Sequence, residues 1–210
     1  MNQVKIMENI QKILIIAAAA AVVIIILGLR ISKYMSKGRK AERKVAKELK
    51  KAGKKRKCYL INNAYLPLYN GTCEVDHILI GPFGVLVVET KGISGTVSGN
   101  GKNLTHKIGT KTHTLYNPQL QNKTHIDNIV HHLRKAGYGD IPVMGVVVFS
   151  ADDIRLETNA GIYLSKLRDH VAGLKNAGCP ANDVYKYLDS IRVRNPLKKL
   201  MHNSRANANK

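Results

Sequence analysis

The sequence predicts an α/β domain preceded by one N-terminal transmembrane helix, and three features of the chain lead there. Two short runs dense in Val, Ile and Leu, Glu74 to Ile80 and Val85 to Lys91, flank Gly81-Pro82-Phe83-Gly84, the pattern of two strands joined by a tight turn. Apolar residues at helical spacing lie on either side of them, Val45 and Leu49 before, and Leu120, Ile126, Ile129, Val130 and Leu133 after. Ile13 to Leu29 is an uncharged run of 17 residues, long enough to cross a bilayer at about 1.5 Å per residue. The expected divisions are an anchor over 1–30, a basic juxtamembrane segment and first helix over 31–57, a folded domain over 38–194 and a basic tail over 195–210.

In the anchor, the small residues Ala17 to Ala21 lie inside the apolar run, which continues to Leu27 without a polar cleavage region. An uncleaved anchor therefore fits better than a cleaved signal peptide. Nine Lys or Arg residues stand between Arg30 and Lys50, against Lys5 and Lys12 before the run. The positive-inside rule then places the body in the cytoplasm, as a single-pass protein of the cell membrane. Cys58, Cys73 and Cys179 are odd in number and widely spaced, as expected of thiols in a reducing compartment.

The chain carries 34 Lys and Arg against 14 Asp and Glu, a formal net charge of +20. Between Arg30 and Lys57 stand 14 basic and 2 acidic residues. That block suits anionic lipid headgroups and equally suits a phosphate backbone, and both partners stay open. No glycine pattern matches a phosphate-binding P-loop, so ATP use is not indicated.

Taken in order, Glu42 to Leu49 forms a charged helix with one apolar stripe, and Gly53 stops it. Glu42 lies on that stripe with Val45 and Leu49, which turns it toward the sheet; it also fits an ordinary first-turn acid favoured by the helix dipole. Cys58 to Asn62 reads as a first strand, and Asn63 to Thr72 as loop and turn. Gly92 to Thr114 reads as one or two edge strands, too sparse in apolar residues for a core. Lys102, Lys107 and Lys111 there, with Lys54, Lys55, Arg56 and Lys57, are the candidate nucleic-acid contacts. Asn117 caps and Pro118 opens a helix reaching about Ala136 and ending at Gly137. Val143 to Phe149 is a second continuous apolar strand, and Asp152-Asp153 after it reads as a loop or cap. A short strand near Ile162 to Leu164, a helix from Leu164 to Asn176 and another from Asn182 to about Val193 complete the domain, and the tail reads as frayed.

The hairpin carries acids where a core belongs. If Ile80 faces Val85, Asp76 falls opposite Glu89 and Glu74 opposite Lys91. Two carboxylates about 5 Å apart repel by about 3 kcal/mol at an effective dielectric of 20. A divalent cation would remove that repulsion. Asp76 and Glu89 are hard oxygen ligands suited to Mg²⁺ or Mn²⁺, which polarises a phosphoryl group and acidifies water. Lys91 shares a face with Glu89 and suits a role in orienting water or neutralising charge on phosphorus. Acids and a lysine on a strand commonly mark a solvated face, but Val85 to Val88 are apolar on both faces, as in a buried central strand. His125 and the adjacent His131-His132 raise a metal-site reading that helical geometry disfavours, and His77 faces away from Asp76.

The order Gly38-Arg39-Lys40-Ala41-Glu42, Glu-Val-Asp-His-Ile-Leu-Ile-Gly-Pro-Phe-Gly, Val-Val-Glu-Thr-Lys-Gly, Ser94-Gly95 and Asn117-Pro118-Gln119-Leu120-Gln121-Asn122 resembles the nuclease-related domain (NERD) family of the PD-(D/E)XK nuclease-like superfamily. The resemblance covers roughly Gly38 to Ser150. It implies a restriction-endonuclease-like α-β-β-β-α-β core with a mixed central sheet, a divalent-metal site and DNA as substrate. It also implies a functional set of Glu42, Asp76, Glu89, Lys91 and Gln121. The chain departs from the family pattern at Ala41 and in having no Trp. The expected function is a membrane-anchored, metal-dependent nuclease. The alternative is a non-catalytic, membrane-tethered nucleic-acid-binding module on the same fold, and a lipid-surface scaffold is a third reading.

Overall fold

The structure is a computed structural model that describes residues 2–68 and 71–194, with side chains described at 19–28, 37–68 and 71–194. The chain divides into two compact units, Met1–Lys40 and Ala41–Lys210. Helix α1 is assigned over Asn2–Lys54. Among the described residues no helix is long and apolar enough to cross a membrane. The expected span at 13–29 lies partly outside the described side chains, and the expected tail at 195–210 lies outside the described residues.

The second unit is built on a five-stranded sheet ordered β1-β2-β3-β7-β9. Its strands are β1 Tyr59–Leu68, β2 Gly71–Gly81, β3 Gly84–Lys91, β7 Val143–Phe149 and β9 Ile162–Tyr163. β1, β2 and β3 run antiparallel, while β3 pairs in parallel with β7, and β7 with β9. The sheet is therefore mixed, as expected. The hairpin register is also the expected one, with Ile80 facing Val85 and His77 facing Val88.

Alternation along the strands produces two cores. Val85 and Val87 pack with Ile129 and Leu133 of α2, Pro118–Lys135, and with Val184 and Leu188 of α4, Ala181–Ser190. Leu86 and Val88 face the other way, onto Val45 and Leu49 of α1 and onto Leu167 and Val171 of α3, Leu167–Ala172. β3 is thus central and buried on both faces, and each such side chain contributes about 1.5–3 kcal/mol.

Several elements differ from expectation. The first strand does not stop at Asn62. It continues to Leu68 through Asn63, which takes a left-handed φ of 48°, and through Pro67. β1 is an edge strand, where a proline removes no ladder bond from a second neighbour. The segment after β3 forms not one or two edge strands but three, β4 Gly95–Ser98, β5 Asn103–Ile108 and β6 Lys111–Tyr116. With β8, Ile154–Glu157, they make a second sheet ordered β6-β5-β4-β8. Its small core is real: Val97 and Leu104 pack with Val147, Phe149, Ile154 and Ala160. The expected helix at 164–176 is a single 3₁₀ turn over Leu164–Lys166 followed by the six-residue α3, and α4 ends at Ser190.

Gly84 closes the hairpin with φ +108°, and a Cβ there would stand 2.3 Å from the Pro142 carbonyl oxygen, which accepts the Val85 N–H at 2.9 Å. Gly84→Ala should therefore cost about 2–4 kcal/mol, read as a lowered urea midpoint, because both backbone conformation and space forbid the methyl.

Candidate active site where β2 and β3 part

The ladder between β2 and β3 ends at His77–Val88, while β3 continues beside β7 to Lys91–Phe149. The two strands therefore diverge just where the acids stand. Asp76 and Glu89 do not form a ladder pair, as the extended register predicted. Instead, the Asp76 carboxylate enters the gap and its Oδ2 accepts the Thr90 N–H at 2.8 Å. Glu74 pairs with Tyr65 in β1 and takes no part in the cluster. Lys91 finds other partners.

Alternation puts Glu89 and Lys91 on the α2 side of the sheet, after Val85 and Val87. Lys91 Nζ donates to Glu89 Oε1 at 2.8 Å and to Gln121 Oε1 at 2.9 Å. Gln121 reaches them from the first turn of α2, whose N-cap is Asn117, accepting from the Gln119 N–H. Asn122 secures that turn by donating Nδ2 to the Val87 and Val146 carbonyls at 3.2 and 3.3 Å. Close approach of the helix requires Gly145, where a Cβ would lie 2.5 Å from Ile126 Cδ1 and 2.7 Å from Asn122 Nδ2.

Glu42 arrives from the opposite side. It precedes Val45 and Leu49 on α1, and its Oε2 accepts from Asn63 Nδ2 at 2.9 Å. Asn63 lies between Asn62 and Ala64, which face His77 and Val75 on either side of Asp76, so Glu42 borders the cluster. Asn63→Gly should leave stability within about 0.5 kcal/mol, since both residues tolerate the left-handed backbone. The same change should slow any Glu42-dependent cleavage several-fold, measured as initial rate beside a melting curve.

The electrostatics follow from burial. Burial first, then the nearby Glu89 and Glu42 charges, push the Asp76 carboxyl up to about 7, against the Thr90 hydrogen bond and Lys91. Glu89 moves the other way: burial opposes ionisation, but His125 and Lys91 hold it below its ordinary range. One acid is thus poised to ionise near neutrality beside one already ionised. Burial holds His77 down to about 4, and its Nδ1 meets Asn62 Oδ1 at 2.8 Å, a packed histidine on the other face.

Two neighbours were not among the residues expected to act. His125 lies one turn beyond Gln121, with Nε2 3.4 Å from Glu89 Oε2 and Nδ1 2.9 Å from Cys73 Sγ. Its spacing of four from Gln121 was the available signal; the partner Cys73 lies 52 residues away. Asp152 pairs with Lys44 at 3.0 Å on the exposed surface and does not join the cluster. Lys54, Lys55, Lys57, Lys102, Lys107 and Lys111 are exposed. Arg56 is part-buried, with Nη1 donating to the Val171 carbonyl at 2.7 Å and its guanidinium 5.0 Å from the Phe83 ring centroid. Among the described residues no three His, Cys, Asp or Glu side chains form a metal-binding group.

Comparison with known proteins bears on the whole arrangement. No solved structure matches the chain. It is 37% identical over 95 residues to an uncharacterized protein of Bacillus anthracis, a match covering 44% of this chain and 45% of that one, so the chain spans less than half the relative's length. A family model described as the nuclease-related domain matches residues 37–150, a stretch that contains Glu42, Asp76, Glu89, Lys91, Gln121 and His125. That stretch is more than half of the chain, and the protein belongs to the nuclease-related domain (NERD) family.

Proposed function

We propose that the protein is a divalent-metal-dependent nuclease hydrolysing DNA phosphodiester bonds, held at the membrane by its N-terminal helix with the folded domain in the cytoplasm. The observation that supports it most is the gap between β2 and β3, where Asp76 and Glu89 meet beside Lys91 and burial lifts Asp76 to about 7. A carboxylate so disfavoured calls for a proton or a cation. The donors there are hard oxygens, the Asp76 and Glu89 carboxylates. Two carboxylates without a soft ligand fit Mg²⁺ or Mn²⁺, which retain waters, better than a four-ligand zinc site. When bound, the ion would supply polarisation of the phosphoryl group and a more acidic water.

The chain's own residues do the rest. Lys91 has three N–H donors and uses two on Glu89 and Gln121, leaving one for a water or a phosphoryl oxygen. Gln121 aims that ammonium, and Glu42 adds negative charge at the border. Exposed Lys102, Lys107 and Lys111 suit the phosphate backbone. Replacing all three by Ala should flatten the slope of log K against log salt by about 2–3 for duplex DNA.

The membrane reading is supported by Val22 to Leu27, six consecutive bulky apolar side chains that are 46–68% exposed. A helix apolar on every side calls for lipid or a partner. The test of substrate class uses the full chain on linear duplex, closed circular DNA and RNA, each with Mg²⁺, Mn²⁺ or chelator. Metal-dependent loss of DNA is the expected result. Salt-sensitive DNA binding without cleavage in either metal would instead establish a binding module.

A further inference from the structure

We infer that His125, itself held by Cys73, is a positioning residue that fixes the orientation of the Glu89 carboxylate; the inference rests on the nuclease reading above for its consequence, but not for its geometry. Glu89 is 3% exposed, and both of its oxygens face a donor: Lys91 Nζ at 2.8 Å from Oε1 and His125 Nε2 at 3.4 Å from Oε2. The second distance is longer than an ordinary hydrogen bond, yet Nε2 is buried and has no hydrogen-bond partner among the described residues. A buried donor with one acceptor in reach is committed to it.

Cys73 and Glu89 together decide which nitrogen carries the hydrogen. The Cys73 Sγ lies 2.9 Å from Nδ1, and the thiol is 5% exposed. If the ring is neutral, a bare Nε2 would aim a lone pair at the Glu89 carboxylate, so the ring proton sits on Nε2 and the S–H donates to Nδ1. If the ring is charged, both nitrogens carry hydrogens. Either way Nε2–H points at Glu89, and the one tautomer excluded is the one that would aim a lone pair at a carboxylate. Pinning both oxygens fixes the carboxylate's orientation and leaves each oxygen a free lone pair. Partners of this kind behind a ligating carboxylate typically change metal affinity by about 10–100-fold.

The test is calorimetric titration of the full chain with MnCl₂, beside His125→Leu, His125→Gln, Cys73→Ala and Cys73→Ser, each with a melting curve. His125→Leu should weaken Mn²⁺ binding about 10–100-fold and lower kcat with little change in KM for DNA. His125→Gln, which keeps a donor, should recover part of that loss. Cys73→Ser should bind like the parent because its hydroxyl also donates to Nδ1, whereas Cys73→Ala should weaken binding and add little in the His125→Leu background. A merely structural role predicts lowered melting temperatures with unchanged Mn²⁺ affinity and no rescue by Ser, and that pattern would overturn the inference. A second readout needs no metal: in ¹⁵N-histidine spectra of the metal-free chain, Nε2 of His125 should be protonated, and its signal should move in Glu89→Gln and in Cys73→Ala. Absence of Mn²⁺ binding by the parent would sink the metal reading, and these spectra would then decide the positioning role: a protonated Nε2 that responds to both substitutions supports it, and an unprotonated Nε2 overturns it.

Discussion

Lys91→Ala should reduce metal-dependent DNA cleavage by about 10³-fold while leaving Mn²⁺ affinity unchanged or tighter. The ammonium can give a hydrogen to a water or a phosphoryl oxygen while remaining bound to Glu89 and Gln121. Its removal also takes a positive charge away from both carboxylates, which favours a competing cation and offsets the loss of one of the two donors that hold Glu89. Stability should fall by about 1–3 kcal/mol rather than the full penalty of an orphaned buried charge, because His125 still faces Glu89. Single-turnover rates, Mn²⁺ titration and thermal melts on the same preparations separate the three effects. A variant that loses Mn²⁺ binding with its activity would instead make Lys91 a structural support.

Asp76→Asn should abolish cleavage and yet stabilise the metal-free protein above neutral pH. The ordinary carboxyl value is 3.8 and the folded one about 7. With the folded value raised, the native state holds the proton more tightly than the unfolded chain between those limits. Stability from this group is therefore present at low pH and lost as pH rises through 7, at a cost of roughly 2–4 kcal/mol. Asn keeps an acceptor for the Thr90 N–H and removes the charge. In chelator, urea unfolding of parent and variant should differ little at pH 4 and should favour the variant by about 1–4 kcal/mol at pH 8. Metal should stabilise the parent more at pH 8 than at pH 6, and the variant at neither. A parent-minus-variant difference that does not change with pH would mean that Asp76 ionises without penalty.

The parts of the fold legible in the sequence were those set by local pattern. Dense Val, Ile and Leu runs meeting at the Gly81 to Gly84 turn set the register that places Ile80 against Val85, and unbroken Val and Leu at 85 to 88 marked β3 as central. Asn117 and Pro118 marked the start of α2, and with it the position of Gln121. What local pattern hides is where a ladder stops. Nothing in Asp76 or Glu89 says that the strands part after His77 and Val88, because the decision lies with β7, which holds β3 on its other edge as far as Lys91. Asn63 and Pro67 look like turn residues and are tolerated within β1 only because it is an edge. The second sheet was missed because Val97 and Leu104 find their core in residues of β7 and β8, some fifty positions away. The contacts of Cys73 with His125 and of Asn63 with Glu42 are likewise products of folding, joining residues 52 and 21 apart.

The most direct measurement is cleavage of end-labelled duplex DNA by the full chain and by Lys91→Ala, purified in parallel, in Mn²⁺ and in chelator. A metal-dependent nuclease built on this cluster gives cleavage by the parent in Mn²⁺ alone, abolished by chelator and reduced about 10³-fold in the variant. Equal cleavage by parent and variant, or DNA binding by both with no cleavage in either, would contradict it.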